Sequence, residues 1–365
     1  MRDHLAEVDV AIHGAGPVGC ALALALRGAG LRVALVGRKA VEFADKPVVP
    51  AFRPLALSYG SRLILERIAA WDKLRVTPIE TIHVSQAGGF GRTRISSEDL
   101  GLPALGYVAD YGEVASRLAE AVDASIGWAA DSQAPQAKLV VHAEGSTGDQ
   151  AAAKDYGHTA IVASIDSEPQ ARHVAWERFT PEGPLALLPL EGRYGLVWSR
   201  ANAVAAETMG MGDTQFLAEL QAAFGQRAGR FLKAGARSAT PLVLRYRTQP
   251  GAPGEIYLGN AAQTLHPVAG QGLNLGLRDA WDLAGLIRSS ASEPLGSPSF
   301  AAAYARKRRL DARAMLRATD LLATLYVRRD PLSAMLRGAA LTSLDLFPPA
   351  RRTFARRMIY GASAW

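Results

Sequence analysis

The six residues Gly14-Ala15-Gly16-Pro17-Val18-Gly19 constrain this chain more than any others. They separate a β-rich apolar run, 8–13, from an Ala/Leu helix pattern, 20–28, and a second apolar run follows at 31–36. This is a βαβ unit of the size that binds dinucleotides, with its glycines where strand turns into helix. Gly14 permits the tight turn, Gly16 lets backbone approach a pyrophosphate, and Gly19 allows close helix–strand packing, while the helix N-terminus offers unpaired N–H groups to phosphates. The competing reading is a tight turn with no ligand. The acid that would hold the adenosine ribose after the second strand is missing: Gly37-Arg38 stands there, and the nearest acid is Glu42. Arg38 either reads a ribose 2′-phosphate, as in an NADP site, or is an exposed arginine beside a ribose held by other groups.

At 365 residues the chain is about twice the ~150-residue domain prior, so two domains, or two plus an appendage, are expected. With 49% hydrophobic and 21% charged residues it is a folded globular protein. Its single cysteine, Cys20, excludes an internal disulfide, a Cys-based zinc site and an iron–sulfur cluster, and fits a reducing compartment. With no leader pattern at the start and no apolar run near the ~20 residues of a spanning helix, a cytoplasmic protein is expected. The net charge is +7, and residues 301–365 hold thirteen Arg or Lys against four Asp. Such a basic, Leu-rich, helical segment reads as a solvated helix face, a surface for anionic lipid or a nucleic-acid patch. No nucleic-acid motif supports the last, so no nucleic-acid partner is expected.

Further along, 53–58 precedes an amphipathic helix expected over 61–74. Strands are expected at 160–165, 173–179 and 185–198, the last broken by a turn at Gly192. Helices are expected at 214–224 and 280–289, and 290–299 reads as a linker. The most informative stretch is 256–279, in which a strand ends at Gly259, a Gly/Pro-rich loop follows, and a helix starts between Gln271 and Asn274. Gly270 and Gly272 allow backbone to lie against a flat ligand, and the helix N-terminus favours an anion there. A sharp packing turn is the alternative.

Taken together, the glycine motif, Arg53-Pro54-Leu55-Ala56-Leu57, Ile82-His83-Val84-Ser85, Leu105-Gly106-Tyr107-Val108, Asp155-Tyr156-Gly157 and the run Gly259 to Asp279 resemble the flavin-dependent aromatic hydroxylases of ubiquinone biosynthesis, within the p-hydroxybenzoate-hydroxylase-like FAD monooxygenases. The resemblance implies an α/β fold: a discontinuous Rossmann-like FAD-binding domain (1–75, 101–155 and 240–292), an inserted β-sheet substrate domain (76–100 and 156–239) and a C-terminal basic helical region (293–365). It implies that Gly14, Gly16 and Gly19 cradle the FAD pyrophosphate and that Arg53 lies along the flavin's phosphate or ribityl side. Asn260 stands where the wider class has an Asp on the ribityl chain, Pro267 flanks the reactive flavin carbon, and the backbone of Gly270, Gln271, Gly272 and Asn274 holds the pyrimidine edge. Arg38 then loses its NADP reading, because in this class NAD(P)H visits without a Rossmann domain of its own. The chain departs from the family in three places: the missing acid after strand two, Glu144-Gly145 where the class has Asp-Gly, and a stretch at 123–138 too short for the usual small β-meander.

The implied chemistry is reduction of FAD by NAD(P)H, then transfer of a hydroxyl from O₂ to an electron-rich phenol, with the protein orienting the ring and excluding water. No metal or Ser-His-Asp constellation is expected. His266 faces the flavin as a proton relay or as a loop-structure histidine; His158 and His173 read as surface or packing residues. Tyr107, Trp176, Phe179, Tyr194 and Trp198 fall on segments that roof the flavin, each a substrate contact or an ordinary core aromatic. The implied substrate is a prenylated phenol or quinone precursor, and the basic C-terminal region would dock on a membrane surface or on sibling enzymes of quinone biosynthesis. The alternatives are a hydroxylase of a soluble aromatic and a non-catalytic flavin-fold scaffold.

Overall fold

The computed structural model describes residues 7–38, 52–148, 151–264, 271–289, 294–327 and 330–362. The strand Glu7–His13 lies between Val33–Val36 and Gln136–His142, parallel to both, with Val10 in register with Val33 and Leu139. Gly127–Ala129 extends one edge, and Glu255–Tyr257 with its hairpin partner Gly251–Ala252 completes six strands on the other. Val33–Val36 is buried along its length, as a parallel strand covered on both faces must be. Helix α1 (Pro17–Ala25) joins the first two strands, and Ile12, Leu22, Leu35, Val141 and Leu258 form the core between sheet and helices. Residues 123–138 hold only Gly127–Ala129, one 3₁₀ turn at Asp131–Gln133 and the start of the next strand.

The helix expected over 61–74 is α2, Tyr59–Arg67, and it ends early. Ala69 adopts φ +57, and the N–H groups of Ala69 and Ala70 donate to the carbonyls of Glu66 and Leu65. This is a Schellman closure with alanine where glycine is usual, so the sequence shows no stop signal. Helix α3 (Tyr111–Ala121) is capped by Asp110, whose carboxylate accepts from the Gly112 N–H.

A nine-stranded, mostly antiparallel sheet forms the second layer. Its spine is the seventeen-residue strand Ala152–Glu168, which pairs with Ser238–Tyr246 and with Arg193–Ala201. The expected strands appear as Val174–Thr180, Gly183–Leu190 and Arg193–Ala201, with the turn at Gly192, and Val174–Thr180 runs parallel to Thr81–Gln86. Helices α4 (Asn202–Gly210) and α5 (Asp213–Phe224) cover one face over Leu185, Leu187, Leu196, Trp198 and Phe216. By period-two alternation, Ala186, Leu188 and Val197 point to the other face.

Helix α6 (Gly272–Ser289) packs on α1, with Val18 wedged against Gly259 and Gly276. Three further helices follow: α7 (Pro298–Val327), α8 (Pro331–Leu346), capped by Asp330, and α9 (Pro348–Tyr360). Phe300 and Tyr304 carry α7 into the core of the parallel sheet, α8 lies against Arg92–Ser96, and α9 against α2. The basic segment is therefore not one solvated face. Arg308 is 2% exposed and binds Asp279, Asp282 and Asp311. Arg351 pairs with Asp99, and Arg337 faces an internal cavity.

Candidate active site

A cavity of about 840 Å³ runs from the glycine turn to the uncovered face of the large sheet. Its lining brings together Gly14, Gly16, Arg53, Asn260, Gln271, Gly272 and Asn274. Gly19 lies outside it, within α1. His266, Pro267 and Gly270 fall outside the described residues. A second hollow of about 940 Å³, beside Arg178, Arg227 and Asp345, contains none of the expected cofactor-binding residues.

The three motif glycines differ in what surrounds them. Gly14 has φ +102, and a Cβ there would sit 2.6 Å from the Ala143 carbonyl and 2.7 Å from the Glu144 nitrogen. A Cβ on Gly19 would meet the Gly14 carbonyl oxygen at 1.9 Å, whereas one on Gly16 meets nothing within 4 Å. Gly16 is the N-cap of α1, no side chain caps that helix, and Pro17 opens its first turn. The uncapped helix start and the bare backbone at Gly16 leave room and N–H donors for a phosphate. Gly272, at the start of α6, is equally clear of neighbours.

Asn274 is held by its side chain. Its Oδ1 accepts from the Ser58 N–H (2.8 Å) and the Ser61 hydroxyl (2.7 Å), and its Nδ2 donates to the Ala56 carbonyl (2.8 Å). These bonds lock the start of α6 to the strand Pro54–Ser58 and leave the backbone there to meet a ligand. Asp279 fixes the other flank by accepting from the Gly259 N–H at 3.0 Å. Burial raises the Asp279 carboxyl, against the pull of Arg308. Burial disfavours charge on Arg308 too, but Asp279 and its neighbours outweigh it and hold the guanidinium firmly protonated. Asn260, half-buried, lies on the 3₁₀ turn Gly259–Ala261.

Arg53 is exposed at the cavity and lies 4.9 Å above the Tyr111 ring; burial raises the Tyr111 hydroxyl. Burial also disfavours charge on Glu144, but the hydrogen bond from His142, 3.3 Å away, helps to hold the carboxyl below its ordinary value. Cys20, buried in α1, has its thiol pushed up to about 12 by burial and is inert. A bare, uncapped helix start, a flanking arginine and flat glycine backbone at α6 suit an elongated, doubly anionic dinucleotide such as FAD.

Of the five expected aromatics, Trp176 and Phe179 line the cavity. Tyr194 and Trp198 are fully buried in the core under α4 and α5, and Tyr107 packs edge-on to Trp71. His158 bonds the Tyr156 carbonyl and His173 bonds Glu80, both away from the cavity. The sequence reading missed Tyr111, Glu177 and the whole cavity face of α8 and α9. For Glu177 a signal existed: it shares strand parity with Ala175 and Phe179 in an apolar strand.

This arrangement of glycine turn, two-layer fold and enclosed cavity is that of an FAD-dependent monooxygenase. The FAD binding domain family matches residues 129–319. The chain is 31% identical over 382 residues to the ubiquinone hydroxylase UbiL of Rhodospirillum rubrum, covering 95% of this chain and 88% of that protein. It is 30% identical over 326 residues to the 3-demethoxyubiquinol 3-hydroxylase of Escherichia coli, covering 78% and 80%. Among solved structures, the p-nitrophenol 4-monooxygenase PnpA of Pseudomonas putida shares the fold, with a TM-score of 0.76 at 15% identity over 98% of this chain and all of that one. The chain belongs to the FAD-dependent aromatic hydroxylases of ubiquinone biosynthesis.

Proposed function

We propose that the protein hydroxylates the ring of a polyprenylated phenol or quinone precursor, with NAD(P)H as reductant and O₂ as oxygen source. The observation that carries this is the change of character along one cavity. Backbone and polar groups line the end at Gly14, Gly16, Glu144 and Asn260, while Ile82, Ile95, Leu188, Leu341, Leu344 and Met358 line the other. When bound, FAD supplies the reducing and oxygen-transferring chemistry. In this reading Gly14, Gly16 and Gly19 shape the pyrophosphate cradle, with Gly16 in contact and the other two holding the turn. Arg53 supports the phosphate or ribityl side, Asn260 the ribityl chain, and the backbone at Gln271, Gly272 and Asn274 the ring edge. His266, Pro267 and Gly270 directly precede this stretch in the sequence. The apolar end holds the substrate ring dry, which favours transfer to the ring over loss to water.

The prenyl tail leaves between α8 and α9, where Phe354 lines the cavity and is also 42% exposed. On the same pair of helices, Leu332, Met335 and Leu336 stand exposed on α8, and Leu346 and Phe347 on the corner that follows. Apolar residues flanked by the arginines of α9 suit peripheral docking on an anionic bilayer. Among the described residues no helix is long and apolar enough to cross a membrane.

The test is the visible spectrum of freshly purified protein, with released cofactor identified by chromatography, followed by quinone analysis of a deletion strain. FAD in the first and an accumulated prenylated phenol in the second are expected. Normal quinone with lost growth on an aromatic would move the substrate to a soluble compound, and a colourless protein that takes up no FAD would leave a scaffold. Flotation with anionic vesicles tests docking; no association at low salt removes the membrane and leaves partner enzymes as the occupant of that surface.

A further inference from the structure

Glu177 is a carboxyl group with no use in the fold. Its strand presents Ala175, Glu177 and Phe179 to the cavity, and its register partners across the sheet are Val84 and Ala186, both lining the same cavity. On this face the flanking strands offer Ile82, Thr93, Ile95, Leu188, Val197 and Leu242, none of them charged. From the opposite side α9 brings Phe354, Ala355, Met358 and Ile359, and α8 brings Arg337 as its one charged group. The other titratable residues of the lining, Arg53, Tyr111 and Glu144, belong to the glycine-turn end. Among the described residues Glu177 has neither a hydrogen-bond partner nor an ion pair.

We propose that Glu177 is the specificity-determining anchor for the substrate's ring hydroxyl, accepting its hydrogen bond and so fixing which way the ring lies in the cavity. This rests on the reading of the substrate as a phenol. A carboxyl facing a mostly apolar chamber costs stability unless a ligand completes it, and a phenol O–H is the donor that an apolar ring brings in. Burial pushes Glu177 up to about 7, while a free phenol loses its proton near pH 10. The proton therefore stays on the phenol oxygen, donated to the Glu177 carboxylate, while the ring waits. As the ring takes up a hydroxyl and becomes electron-poor, the phenol grows acidic; the O–H bond then breaks, its electron pair stays on the ring oxygen, and the proton passes to a Glu177 oxygen.

The test is binding to the full flavoprotein, by equilibrium dialysis, of 4-hexylphenol and its methyl ether 4-hexylanisole, which differ only in the ring O–H. Wild type at pH 8 is expected to prefer the phenol by roughly 10- to 100-fold, the range for a hydrogen bond to a charged group. That preference should weaken as the pH falls below about 7. Glu177→Leu should bind both probes alike, and Glu177→Gln should keep a preference but without its pH dependence. An undiminished preference in Glu177→Leu overturns the proposal. Failure of wild type to bind either probe overturns the phenol reading on which it rests. Glu177→Gln preserves size and shape, so a retained flavin spectrum there shows that the fold is intact.

Discussion

The two ends of the cavity are built by different rules. The glycine-turn end is made of backbone: Gly14 against the Ala143 carbonyl, Gly16 with nothing near it, and the α6 start held by Asn274 and Asp279. Its parts come from short runs, 14–18, 52–58, 143–145, 259–260 and 271–274. The apolar end is made of side chains from at least seven strands and two helices, a few from each. The first end depends on particular residues, since a Cβ at Gly14 or Gly19 would strike backbone and one at Gly16 would stand where the ligand lies; the second depends on parity and greasiness, and many residues satisfy it. Damage at the first should therefore be severe and specific, and at the second graded.

Arg308→Leu should break that contrast most severely. It strips a buried cation from Asp279 and Asp311 and loosens the Gly259 turn, for a loss of about 3–5 kcal/mol, read as a lowered urea midpoint. Gly19→Ala should cost about 1–3 kcal/mol by overpacking, since its Cβ would press on the Gly14 oxygen. An unchanged midpoint there would mean that α1 slides freely on its strand.

At the apolar end, Glu177→Gln should act through pH. Burial raises the group from 4.5 to about 7, so the folded state holds an extra proton between those values and loses stability as pH rises through them. The substitution should be neutral near pH 4.5 and stabilising by about 1–3 kcal/mol at pH 8. A parallel pair of pH–stability curves would contradict the burial of that carboxyl. Gly16→Val sharpens the contrast within the motif itself. Its stability should stay within about 1 kcal/mol, yet the protein should purify without flavin; retained FAD would remove the phosphate from that position. Leu332→Asp with Leu336→Asp, on the outer face of α8, should leave both stability and flavin untouched while abolishing vesicle flotation.

How much was legible follows the same line. The βαβ unit, the end of a strand near Gly259 and the start of α6 could be read because glycine and proline leave sharp marks on a sequence. The end of α2 could not, because Ala69 closes the helix where glycine would have announced it. The basic C-terminal segment misled in part. Its charges looked like one surface, yet Arg308 is buried among carboxylates, Arg351 is paired and Arg337 turns into the cavity.

The sequence by itself determined the nucleotide-binding turn, the two-layer α/β class and the glycines that leave backbone open to a ligand, because each is a local steric condition met within a few residues. Only the tertiary structure decided that Glu177 faces a chamber, that α8 and α9 close it, and that Asp279 holds the Gly259 turn. Those depend on which face of a strand or helix meets a segment far away in the chain, and a one-dimensional pattern carries parity without saying what lies opposite.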